Sequence, residues 1–166
     1  MRLKEKVAIV TGGGTGIGRG MALMFAKEGA KVTISGRRQE PLNETVGQIQ
    51  ALGGTAVSVQ TDVSSFAEVK QMVEKTISKF QKVDILVNNA GVYLPHDALS
   101  ASEEEWDKVL SIDLKGVWLC AKASIPYMQK LGKGKIINIA SIAGLIGFEQ
   151  SAAYCAAKGG VINLTR

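Results

Sequence analysis

The chain has 166 residues, 46% hydrophobic and 21% charged, the composition of one ordinary globular domain. Its net charge of +5 comes from scattered lysines and arginines, with Arg37-Arg38 the only adjacent basic pair, so there is no basic run to suit a nucleic-acid partner. No apolar run reaches the ~20 residues of a membrane span, and no signal core follows the charged start Met1–Lys6, so no membrane segment is expected. Cys120 and Cys155 have neither metal nor redox spacing. They are expected to be free, buried or half-buried thiols, which fits a cytoplasmic location, and no metal site is expected.

Val7 to Val10 is a short apolar run, as in a strand (Val7–Thr11) buried on both faces of a parallel sheet. Gly12, Gly13, Gly14, Gly16 and Gly18 then crowd one turn, and a helix near Ile17–Lys27 follows, closed by Gly29. Glycines let the backbone approach a bulky anion, and the new helix offers free N–H groups and the positive end of its dipole. The geometry suits the pyrophosphate of a dinucleotide. Gly13, Gly14 and Thr15 separate Gly12 from Gly16, a wider spacing than the commonest dinucleotide fingerprint.

Further strands are predicted near Lys31–Ser35, Ala56–Gln60, Ile85–Asn88 and Lys135–Ala140, and helices near Glu40–Ala51, Phe66–Phe80, Glu103–Met128 and Ala152–Leu164. Strict alternation with right-handed crossovers predicts an α/β fold with a doubly wound, Rossmann-like parallel sheet, in a single domain over residues 1–166. Ligands of such sheets sit at the carboxyl ends of the strands, where strand order reverses. That edge gathers Gly12–Gly18, Gly36–Arg38, Asp62, Asn88–Gly91 and Ala140–Ser141. Ser151–Arg166 reads as a helix with no strand after it. The domain is therefore expected to be incomplete at its C-terminus, with strands missing, the far side of strand five uncovered, and Val161, Ile162 and Leu164 exposed.

Tyr154 and Lys158 lie four residues apart and share a helix face. A nearby ammonium favours the phenolate form of a tyrosine, which can then move protons near neutral pH. Ser141 precedes them at the ligand edge, where its hydroxyl can hold a substrate oxygen.

Taken together, Thr11–Gly18, Asp62-Val63, Asn88-Asn89-Ala90-Gly91, Ser141 and Tyr154-x-x-x-Lys158 resemble the short-chain dehydrogenase/reductase family, in order and spacing along the whole chain. The resemblance implies hydride transfer between a nicotinamide cofactor and a carbonyl or secondary alcohol. It implies Tyr154 as general acid/base, Ser141 orienting the substrate oxygen, and Lys158 on the nicotinamide ribose. Gly12, Thr15, Gly16, Ile17 and Gly18 would hold the cofactor's phosphates. Asp62 and Val63 would line the adenine pocket, and Asn89, Ala90 and Gly91 would pass beside the adenosine ribose. Asn88 is read as a structural strand end.

One position departs from the family. The usual catalytic Asn in the fourth helix is here Asp113, whose charge is placed to pair with Lys158. Activity with a shifted pH profile is expected. At the end of strand two, Ser35-Gly36-Arg37-Arg38 lacks the acid that grips the 2′-hydroxyl of NAD. Arg37 is placed for a 2′-phosphate instead, which favours NADP over NAD. The loop Val92–Ala98 is expected to form one wall of the substrate pocket, with His96, the only histidine, solvated. The family's long helices, here beginning near Glu103 and Ala152, pack against a second subunit, so a homodimer or homotetramer is expected at full length. The competing readings are a non-catalytic dinucleotide-binding sensor and an inactive fragment of such an enzyme.

Overall fold

A computed structural model describes residues 1–166. Five parallel strands run in the order β3-β2-β1-β4-β5: β1 Val7–Thr11, β2 Lys31–Gly36, β3 Thr55–Gln60, β4 Ile85–Asn88 and β5 Lys135–Asn138. Strand order reverses between β1 and β4, where Val10 faces Ile34 on one side and Val87 on the other. Hydrophobic side chains alternate between two helix layers. Ala8, Val10, Val32 and Ile34 pack under α1 (Gly16–Lys27) and α2 (Gln39–Ala51) through Ala22, Leu42 and Ile49. Ile9 and Leu86 pack on the other face against Val69, Met72 and Val73 of α3 (Phe66–Phe80) and against Leu119 and Cys120 of α5 (Gly116–Lys130). The doubly wound fold expected from the alternation is the one observed.

The segment expected to be one long helix from Glu103 is three pieces. α4 (Glu103–Leu110) opens on a capping box, Ser102 and Glu105 each bonding the other's backbone. A π-helical turn at Ser111–Lys115 then leads into α5 without a break in direction of chain travel. β5 stops at Asn138, two residues short of the expected Ala140. Ile139 still donates its amide to Asn88 O, and then the chain leaves the sheet for a 3-10 turn at Ile142–Gly144. α6 (Ala152–Thr165) is the last element.

Of the three apolar residues expected to be exposed on α6, Leu164 alone is exposed. Val161 is fully buried and Ile162 half-buried, because α6 packs closely on the 3-10 turn, where a Cβ on Gly144 would meet Ile162 and the Lys158 carbonyl. The outer side of β5 is open, with Lys135 and Ile137 exposed. Cys120 is buried and Cys155 half-buried, both free. Burial pushes the Cys120 thiol up to about 12. No helix is long and apolar enough to cross a membrane.

At the switch point two glycines are required by space. Gly12 has φ +66°, a left-handed backbone, and lies against Ala90 and the Asn89 amide. Gly18 lets α1 start directly on the loop: a Cβ there would strike the carbonyl of Gly12 and lie 2.6 Å from Asn89 Nδ2. Gly20, two residues on, faces open space. Gly18→Ala is therefore expected to cost about 1–3 kcal/mol, whereas Gly20→Ala is expected to be neutral or stabilising by up to ~1 kcal/mol. Urea unfolding of the two variants checks the contrast.

Candidate functional site

The loop after β1 and the start of α1 form one side of a cleft at the carboxyl edge of the sheet. Thr15 precedes α1 in extended conformation, and no side chain caps the helix. Its first amides are thus left for an anion. A cavity of about 430 Å³ adjoins this turn, lined among others by Gly14, Thr15, Arg37, Asp62, Val63 and Gly91.

Arg37 and Arg38 both reach this cavity and are exposed. Gln60 fixes the backbone there, donating from Nε2 to Arg37 O at 2.9 Å. Burial raises the tendency of the Asp62 carboxyl to hold a proton, but two hydrogen bonds from Ser64 and the charge of Arg37 outweigh it. The carboxyl ends below the ordinary aspartate range.

Asn89 begins the segment expected to pass beside the adenosine ribose, and its side chain bonds the backbone of the neighbouring loop. Nδ2 donates to Thr11 O at 2.9 Å and Gly12 O at 3.4 Å, while the amides of Asn89 and Ala90 both donate to Thr11 Oγ1 at 3.0 Å. Asn89 therefore holds the glycine loop. Of the same motif, Ala90 and Gly91 do line the cavity. Asn88 is structural, as expected: its Nδ2 donates to Asn138 Oδ1 at 2.9 Å and so ties β4 to β5. Ile17 is exposed on the outside of the turn, and Gly16 takes φ +53°.

Beside this cleft, α6 carries Tyr154 and Lys158. Lys158 is buried, its Nζ donating to Ile139 O at 3.0 Å and standing 3.3 Å from Asp113 Oδ2. The same ammonium is 5.5 Å from the centre of the Tyr154 ring. Asp113 is fully buried within the π-helical turn, and its Oδ1 accepts the Val92 amide at 2.7 Å. Burial raises the Asp113 carboxyl above the ordinary aspartate value, against the opposing pull of the Val92 amide and the Lys158 charge. A Cβ on Gly91 would lie 2.8 Å from Asp113 Oδ2, so only glycine fits there.

Ser141 caps the 3-10 turn, its Oγ accepting the Ala143 amide at 3.2 Å. That leaves its O–H free to donate. The site thus joins Asp113, Lys158 and Tyr154 directly, with Ser141 at the end of the neighbouring strand segment.

Three participants escaped the sequence. The Ile139 carbonyl and the Val92 amide are backbone groups with no side-chain signature. Tyr93 packs edge-to-face on Tyr154, ring centres 5.2 Å apart at 76°, a contact made only by the tertiary fold. His96 is half-exposed, and instead of standing free in solvent its Nε2 lies 3.0 Å from Glu105 Oε1.

Residues 6–166 match the sequence model of the family described as short chain dehydrogenase. An uncharacterized oxidoreductase of Thermotoga maritima is 42% identical over all 166 residues of this chain, which cover 65% of that protein. Meso-2,3-butanediol dehydrogenase of Serratia marcescens is 38% identical over 166 residues, again 65% of its length. The crystal structure of levodione reductase superposes with a TM-score of 0.96 at 34% identity, covering 99% of this chain and 65% of that one. NAD+-bound xylitol dehydrogenase gives a TM-score of 0.96 at 32% identity, over 99% of this chain and 64% of that one. The chain thus spans about 65% of the length of these relatives. Fold, strand order and sequence agree from Lys6 to Arg166: this chain belongs to the short-chain dehydrogenase family.

Proposed function

We propose that this chain carries the dinucleotide-binding and catalytic residues of an oxidoreductase that moves a hydride between NADP(H) and a small carbonyl or secondary-alcohol compound. One observation carries the reading: a phosphate-sized cradle and a tyrosine with a buried lysine one helical turn away share the same edge of the sheet. The residues fit a dinucleotide, since the uncapped amides of α1 meet phosphate oxygens and Gly12 and Gly18 have no room for side chains. When bound, the nicotinamide ring supplies or accepts the hydride.

Tyr154 exchanges a proton with the substrate oxygen, and Ser141 donates its free O–H to that same oxygen. Lys158 has three N–H donors, one of them on Ile139 O, and its charge pairs with Asp113 Oδ2 at 3.3 Å, which leaves donor capacity for a ribose hydroxyl. Asp113 replaces a neutral amide with an acid beside that ammonium. We infer retained activity with a shifted pH profile. Arg37, with Arg38 beside it, faces the cavity where the adenosine 2′-phosphate would lie, and β2 ends without an acid, which supports NADP over NAD. The same reading seats a second copy against α5 and α6, where Trp118, Ile125 and Leu164 are exposed.

Three measurements test this reading. NADPH-coupled reduction of a ketone panel that includes 2,3-butanedione is expected to fall 10²–10⁴-fold in kcat on Tyr154→Phe, with NADPH binding unchanged. Equal rates in the two proteins sink the role of Tyr154. Arg37→Ala is expected to weaken NADPH roughly 10- to 100-fold, the loss of a charge-assisted contact, and to leave NADH unaffected in a fluorescence titration. An unchanged preference removes the NADP assignment.

The third concerns Asp113→Asn, which keeps an acceptor for the Val92 amide and removes the acid. The folded Asp113 holds its proton more tightly than the unfolded one. Its contribution to stability is therefore full below the ordinary aspartate value and declines as pH rises through the raised folded value. Relative to the wild type, the Asn variant should gain stability as pH rises across that window and show a shifted kcat profile. Parallel curves in both assays would exclude a role for the acid.

A further inference from the structure

Tyr93 is 54% exposed, yet its side chain is held at both ends. Its ring meets the Tyr154 ring edge-to-face. Its hydroxyl lies 3.1 Å from Ser151 Oγ, and Ser151 is itself 2% exposed at the start of α6. Ser151 Oγ donates to Glu149 O at 2.9 Å, and a hydroxyl has one hydrogen to give, so Tyr93 is the donor of the pair.

The loop bearing Tyr93 is tethered on each side. Before it, the Val92 amide bonds Asp113 Oδ1. After it, Leu94 packs against the cluster of Val109, Ala153 and Ala157, and His96 O accepts the Ala152 amide at 3.3 Å. The ring therefore has little freedom to swing out, although more than half of the residue is exposed. An aromatic pair in this geometry prefers one mutual orientation.

From this geometry we propose that Tyr93 is a positioning residue. It fixes the Tyr154 ring, and with it the direction of the hydroxyl. The proposal rests on Tyr154 being the acid/base. Holding a reacting group in productive orientation acts on kcat rather than on cofactor affinity.

The test uses the whole chain labelled with 3-fluorotyrosine, the Tyr154 resonance being assigned from the Tyr154→Phe spectrum. Tyr93→Ala is expected to move the Tyr154 resonance toward the free-amino-acid position, and Tyr93→Phe, which keeps the ring contact, to leave it in place. In NADPH-linked reduction of 2,3-butanedione, kcat should fall roughly 3- to 10-fold in Tyr93→Ala and less than about twofold in Tyr93→Phe. The KM for NADPH and the thermal midpoint should hold. An unmoved Tyr154 resonance overturns the proposal, and so does an unchanged kcat in Tyr93→Ala. The resonance needs no turnover, so failure of the Tyr154 reading, seen as an active Tyr154→Phe enzyme, stays distinct from failure of the proposal.

Discussion

A carboxylate with no exposure to water has to find its partners inside the protein, because an uncompensated charge there is far costlier than a lost contact at the surface. Asp113 is that carboxylate, and its partners come from two other segments. One oxygen takes the Val92 amide from the loop after β4, and the other faces the Lys158 ammonium on α6. Satisfying one side chain thus fixes three parts of the chain relative to each other. Lys158 passes the constraint on, because its second partner, Ile139 O, lies just beyond β5. The distances around Tyr154 follow from this arrangement rather than from the tyrosine itself.

The cofactor side of the cleft is organised by neutral groups. Thr11 Oγ1 accepts two successive amides from the end of β4, and the Asn89 side chain returns two bonds to the carbonyls of the glycine loop. These bonds stitch β1 to β4 at the point where a doubly wound sheet opens its crevice. The glycine loop is held by these bonds, while Arg37 and Arg38, which line the same crevice, are exposed.

Much of this was legible in the sequence, and for physical reasons. β1 and β4 are uninterrupted apolar runs because both faces of a central parallel strand are covered, and α1 is announced by glycines that only a close helix–loop approach requires. Tyr154 and Lys158 could be paired because a helix puts residues four apart on one face. Asp113 could be matched against Lys158 only through a family pattern, since nothing in local periodicity brings α6 to the middle of an earlier helix. Asn89 marks another limit: a motif names a residue, but not the groups that its side-chain amide bonds. The π-helical turn left no trace in composition, because Ser111–Lys115 keeps the apolar spacing of an ordinary helix. The edge-to-face tyrosines were equally silent, being distant in sequence and joined only by folding.

The π-helical turn has a consequence for how this region can vary. A π turn widens a helix locally to hold an extra residue, and each residue of an α-helix advances the winding by about 100°. Removing one residue between Ser111 and Lys115 would let the segment relax to regular winding with α4 and α5 still in phase, but it would remove the widened turn in which Asp113 sits. Val109 and Leu119, buried on opposite sides of the turn, would keep their facing, whereas Asp113 would lose the position from which it meets the Val92 amide and Lys158. The extra residue therefore serves the placement of Asp113 rather than the phase of the two helices.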